Sequence, residues 1–271
     1  MTADATARLH LYYGPDDFRL REAYQHLRRQ LDRDGLEADI TTLPARGLQP
    51  QELIQHAATV PFLAETRMVV VEGLLLALGS GRTVIHDWQP LIDAIPQLPP
   101  TNHVVLLEPF TSRDARRDAQ VFSRSPLVGA LRGLDDVDVR EFQSLRLYAR
   151  RDEAESEVAA WVRERAATSS VEIERAAIEV LVDLVGADLW ALAAEVEKLG
   201  QYAGGRAISV EDVRQLTPEA RAAGIFDLVD AVVEGHAARA LLLLRKMLEL
   251  GTESPAPEET YTDGVQEPIH V

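Results

Sequence analysis

Two apolar runs, Met68-Val69-Val70-Val71 and Val104-Val105-Leu106-Leu107, constrain the fold of this sequence most. Side chains on a strand alternate between two faces, so a run without polar residues is buried on both. Short, largely β-branched stretches of this kind, bounded by turn residues, read as strands of a sheet covered on each side. Three more stretches fit as strands: residues 8–13 (RLHLYY), 37–43 (EADITTL) and 137–142 (VDVREF). Between them, helices are predicted from Asp16 or Asp17 to about Asp32, over Gln51–Ala58 and over 84–95. Strands alternating with helices imply a parallel α/β sheet.

The pattern changes after residue 143. Residues 153–167 read as a helix with Val158, Trp161 and Val162 on one face. A second helix spans 172–185 and stops at Gly186, and a third spans 187–204 and stops at Gly204 and Gly205. Ser209, with Asp212 three residues on, starts a short helix with an approximate capping box. No strand pattern is visible here, and both Trp161 and Trp190 have core spacing. After Pro218, GIFDLVDAVVEG and HAARALLLLRKMLELG read as two amphipathic helices, with the Leu241–Leu244 run as core. The last twenty residues hold Pro255, Pro257 and Pro268, are acidic and lack Lys or Arg, which predicts disorder. The expected fold class is α/β plus all-α. Its parts are an α/β domain over 1–143, a helical domain over 144–216, partial helices over 217–251 and a tail over 252–271.

At a net charge of −16 over 271 residues, the chain repels phosphate backbones unless its charge is segregated. Docking onto other proteins is the better expectation. No apolar run approaches the roughly 18 residues of a membrane span, and the N-terminus has no signal-peptide pattern. Cysteine is absent, so there is no thiolate or disulfide chemistry. These features fit a cytoplasmic protein. The seven histidines show no metal-type spacing, and His10 and His103 read as structural residues of strands. Neither a cofactor nor a metal is expected.

Leu9 to Leu31 reads strand, Gly14, then helix, which is where a nucleotide-binding protein carries the loop G-x-x-x-x-G-K-[ST]. Here Gly14 is followed by Pro15, Asp16 and Asp17, and the second glycine, the lysine and the hydroxyl are missing. Gly14 alone cannot cradle a phosphate. Asp16 and Asp17 would repel one and are better explained as caps complementing the helix dipole. Glu72 ends the third strand where a magnesium-binding aspartate would be sought, and Glu72 and Glu108 both read as solvent-facing strand ends. Residues 111–124, the most basic stretch, read as a solvated helix face. Arg67 is expected to pair with Glu65 or Glu52.

As an ordered set, LYYGPDDFRLREA, VPFLAETRMVVVEG, GADLWALAAEVEKLGQYAG with ISVEDVRQL, and IFDLVDAVVEGHAARALLLLRKMLELGTESP resemble the delta subunit of the bacterial DNA polymerase III clamp loader. The resemblance covers about residues 8–255. It implies a degenerate AAA+ domain, a helical lid and a helical collar that here is partial, through either a frameshifted gene or a real shortened variant. It also implies an adaptor that leaves ATP to other subunits. Such a protein would bind and open the sliding clamp for loading onto primed DNA, beside ATP-binding and delta-prime-like subunits. It would share in a DNA-directed DNA polymerase (a nucleotidyltransferase) by membership alone. The resemblance implies a clamp contact at Phe62 and Leu63, presented by Pro61; the residues alone favour both as core residues that close a helix onto the sheet. An atypical ATPase and a stand-alone interaction module are the rival readings.

Overall fold

The computed structural model describes residues 6–32, 37–61, 64–110 and 115–217, with Val232, Ala237, Ala240, Leu241, Leu244 and Arg245. It divides into two units, residues 1–146 and 147–271.

The first unit holds β1 (Leu9–Gly14), α1 (Asp17–Leu31), β2 (Asp39–Pro44), α2 (Pro50–Ala58), β3 (Arg67–Glu72), α3 (Leu74–Leu78) and α4 (Arg82–Ala94). After these come β4 (Asn102–Pro109), α5 (Ala115–Arg124), α6 (Pro126–Arg132) and β5 (Val137–Glu141). The five strands form one sheet in the order β2-β3-β4-β1-β5, and every pairing is parallel. Leu9 lies opposite Val104 on one side and Val137 on the other.

Both apolar runs alternate between faces as their composition requires. Leu9, Leu11, Val69, Val71, Val104 and Leu106 join one core with Leu53 of α2, Trp88 and Leu91 of α4, and Leu127 and Leu131 of α6. Tyr12, Met68, Val70, Val105 and Leu107 form the opposite core against Leu20, Leu27 and Leu31 of α1. Burial on both faces explains why polarity alternation is lost in these strands. Helix α3 is not legible in the sequence. Its five residues, LLLAL, carry no polar face from which a helical period could be read.

The second unit contains α7 (Glu157–Thr168), α8 (Arg175–Val185), α9 (Leu189–Ala203) and α10 (Val210–Leu216). Val158 and Val162 are fully buried, as their spacing predicts, whereas Trp161 is only partly buried. The capping box at α10 is complete: the Ser209 hydroxyl accepts from the Asp212 N–H, and the Asp212 carboxylate accepts from the Ser209 N–H. The Arg206 guanidinium beside Asp212 also holds that carboxyl well below the usual carboxylate range. Among its described residues the unit holds no strand, in keeping with the sequence pattern, although Ile173 and Ile208 form an isolated parallel bridge. One expectation is corrected: Trp190 is 54% exposed, not core. The buried stripe of α9 runs through Leu189, Leu192, Val196, Leu199 and Ala203, and Trp190 sits one residue, about 100°, off it. The expected helices over 217–251 lie outside the described residues apart from isolated positions, of which Leu241 and Leu244 are exposed. The tail lies outside them entirely.

Candidate functional site

At the turn from β1 to α1, the backbone itself fills the place of a phosphate loop. Gly14 has φ +138°, and a Cβ there would lie 2.3 Å from the carbonyl oxygen of Phe142. Only glycine tolerates both conditions. The Phe142 N–H donates to Tyr13 O at 2.8 Å, and Phe142 O accepts from the Asp16 N–H at 3.1 Å. Asp16 caps α1 by accepting from the Arg19 N–H at 3.0 Å, and its other carboxylate oxygen is held by Arg19 Nε. Arg21 reaches across to Glu72 at 2.8 Å while also holding Asp17. A phosphate loop works by aiming unpaired N–H groups and a positive helix end at the ligand. Here the Asp16 N–H and the Arg19 N–H have protein partners, and the dipole faces the chain's own carboxylates. Among the described residues, no group of three His, Asp or Glu side chains is placed to hold a metal ion.

Glu72 ends β3 exposed, as expected; Glu108 does not follow it. Glu108 is completely buried, and its carboxylate accepts from the N–H groups of Leu75 at 2.8 Å and Leu76 at 3.1 Å. It thus serves as a side-chain cap for the first turn of α3 from the end of β4. Burial pushes its carboxyl up to about 7, against the opposing pull of the backbone N–H groups. Helix α3 lies over this strand end, which is why the residue is not solvent-facing.

The two strand histidines are structural, with a definite arrangement. His103 Nδ1 lies 2.9 Å from Ala7 O and 3.2 Å from His10 Nε2. A carbonyl can only accept, so His103 Nδ1 carries the proton and His10 Nε2 is an acceptor. His10 Nδ1 then carries a proton facing Asp138, at 3.7 Å. Burial raises the Asp138 carboxyl, but His10 and the Arg140 guanidinium outweigh it and hold it low.

The segment expected to make a partner contact leaves α2 at Thr59. Val60 is 71% exposed, a large apolar residue that sequence reasoning does not single out, although it sits beside the chosen residues. Pro61 is half-buried, and Phe62 and Leu63 lie outside the described residues. Arg67 forms an internal salt bridge, though neither with Glu65 nor with Glu52. It pairs with Asp39, its lateral neighbour in the β2–β3 register, and donates from Nε to His56 O at 2.8 Å. On α5, Arg116, Arg117 and Arg124 are exposed while Phe122 is buried and stacks on Tyr13 with centroids 4.3 Å apart.

The family model for DNA polymerase III, delta subunit, matches residues 10–123, from β1 into α5. This part of the chain is similar to that family. A DNA polymerase III subunit delta of Bacillus subtilis (strain 168) is 23% identical over 246 residues, which cover 89% of this chain and 65% of that protein. The chain therefore spans about two thirds of the length of this relative. Among solved structures, the Bacillus subtilis DNA clamp loader delta protein matches with a TM-score of 0.58 at 22% identity, over 90% of this chain and 68% of that one. At that identity the likeness is one of fold. What is shared is a parallel sheet with helices, followed in sequence by a helical bundle. A Thermotoga maritima RuvB Holliday junction branch migration motor is more distant, with a TM-score of 0.42 at 12% identity over 85% of this chain and 70% of that one.

Proposed function

We propose that this protein is a clamp-loader delta subunit that binds a sliding clamp and opens it for loading onto primed DNA, without hydrolysing ATP itself. The observation that carries the proposal is the occupied β1–α1 turn. A delta-family domain keeps the nucleotide-binding architecture, yet fills its phosphate position with Asp16, Arg19 and the backbone of Phe142. An adaptor needs the scaffold for assembly but not the phosphate chemistry, which ATP-binding partner subunits supply. The clamp contact falls on Pro61, Phe62 and Leu63, extended by the exposed Val60. An aromatic and an aliphatic anchor beside a proline suit an interface in which a few apolar residues carry most of the binding energy. The protein works in the cytoplasm beside the other loader subunits, including a delta-prime-like one, and meets DNA through the complex. With a net charge of −16, the chain is suited to protein partners rather than independent DNA binding.

Opening is tested with a sliding clamp carrying a fluorescence donor and acceptor across one subunit interface. Adding the chain without nucleotide should lower energy transfer to a plateau. Unchanged transfer at saturating protein would contradict an opening role.

A further inference from the structure

We infer that a groove in the second unit takes an extended, basic–apolar–basic segment of a partner protein, added as a strand beside residues 172–174. The groove encloses about 570 Å³ and is lined by the end of α7 and the chain leading into α8. Its apolar lining includes the exposed Ala167 and the half-buried Val171 and Ile173. Glu172 and Glu174 also line it; both are exposed, and neither has an ion-pair partner among the described residues. Arg163 is present too, but its guanidinium is held by Glu155 at 2.7 Å. The walls are preformed. Helix α7 ends in a Schellman turn, in which the Val171 N–H donates to Ala166 O at 2.9 Å and the Ser170 N–H to Ala167 O at 3.0 Å. Ser170 takes the left-handed position of that turn, φ +57°, where glycine is usual, and backbone strain of this kind collects at binding sites. Val171 is seated on α9, where a Cβ on Gly200 would lie 2.7 Å from its Cγ2.

The backbone here offers a free edge. The Ile208 N–H donates to Glu172 O at 2.8 Å, and the Glu174 N–H donates to Ile208 O at 3.0 Å. In a parallel bridge of this form, the bridged residue's own N–H and C=O point to the opposite edge. Those of Ile173 take no backbone partner among the described residues. An open edge beside an apolar groove is what strand addition uses: main-chain bonds give affinity and the alternate side chains give specificity. The occupant's chemistry follows from the pleat. Glu172 and Glu174 share the exposed face, and Ile173 lies on the other. Side chains directly opposite on an added strand share those faces. The residue beside Ile173 is therefore apolar, and those beside Glu172 and Glu174 are Lys or Arg, which answer the two unpaired carboxylates.

The test uses the full chain and a fluorescein-labelled hexapeptide of alternating arginine and leucine, followed by anisotropy at physiological salt, where long-range attraction to an acidic chain is screened. Saturable binding with a micromolar Kd is expected. Glu172→Gln with Glu174→Gln should weaken it about fivefold, the scale of two exposed ion pairs. Glu197→Gln with Glu211→Gln, two exposed carboxylates that do not line the groove, should change it less than about twofold. Ala167→Trp fills the groove from an exposed position and should abolish binding. A peptide with N-methylated leucines, which has no leucine N–H to give the open edge, should bind at least about tenfold more weakly. Equal weakening by the two carboxylate pairs would mean charge attraction alone and overturn the inference. So would full affinity of the N-methylated peptide, binding that survives Ala167→Trp, or no saturation below about millimolar peptide. A dimer of the chain that sediments as such and is lost in Ala167→Trp would give the groove to a second copy, and would overturn it too. Circular dichroism of each variant separates a lost site from a lost fold, and the N-methylated peptide needs no variant at all.

Discussion

Glu108 should make the stability of the α/β domain fall as pH rises toward neutrality, against the usual behaviour of a carboxylate. Its carboxyl moves from an ordinary 4.5 to about 7 on folding. The folded state therefore holds this proton more tightly than the unfolded chain does. Below pH 4.5 both states are protonated; between that value and about 7 only the folded state is, and stability drains as pH climbs through this window. At 1.36 kcal/mol per unit, the shift amounts to about 3 kcal/mol, and no solvent discount applies to a side chain with no exposure. Glu108→Gln removes the titration and keeps an oxygen to accept the N–H groups of α3. The assay is urea unfolding between pH 5 and 8.5, read by Trp88 emission after Trp161 and Trp190 are changed to Phe, so that only the first unit is followed. Contributions from all other groups cancel in the difference between the parent chain and its Glu108→Gln variant. That difference should shift by about 3 kcal/mol, in favour of the variant as pH rises. Parallel pH profiles for the two chains would refute the reasoning.

Three further outcomes follow from single sites. Gly14→Ala forces a side chain into φ +138° and against Phe142 O, and should cost roughly 2–4 kcal/mol, measured as a fall in melting temperature. Ser209→Ala removes the hydroxyl that accepts from the Asp212 N–H, and should cost about 1 kcal/mol in urea unfolding followed through Trp161 and Trp190. A fluorescent ATP analogue with magnesium should show no saturable binding up to roughly millimolar concentration, where the free energy is only about 4 kcal/mol. Tight, saturable binding would mean that the β1–α1 turn opens.

The sheet is legible because burial on two faces leaves a local signature, as at Met68–Val71 and Val104–Leu107. The helix caps are legible for the same reason: Asp16, Ser209 and Gly204 act within four residues of their own positions. What cannot be read depends on contacts distant in sequence. Gly14 is recognisable as a turn, but the Phe142 backbone that requires it lies 128 positions away. Glu108 misleads because a strand-end carboxylate looks solvent-facing until α3 is seen to cap over it, and LLLAL announces no helix. Arg67 has acidic neighbours close in sequence, whereas its true partner, Asp39, is set by strand register. Trp190 reads as core because a stripe two residues wide and one residue wide look alike without the neighbouring helices.

The most direct test of the central claim is the affinity of this chain for its sliding clamp, measured by surface plasmon resonance beside Phe62→Ala and Leu63→Ala. The account predicts wild-type binding that needs no nucleotide, and a loss of at least ~2 kcal/mol in one of the two variants, the scale of an interface hot spot. A folded wild-type chain that does not bind, or two variants that bind as well as wild type, would contradict it.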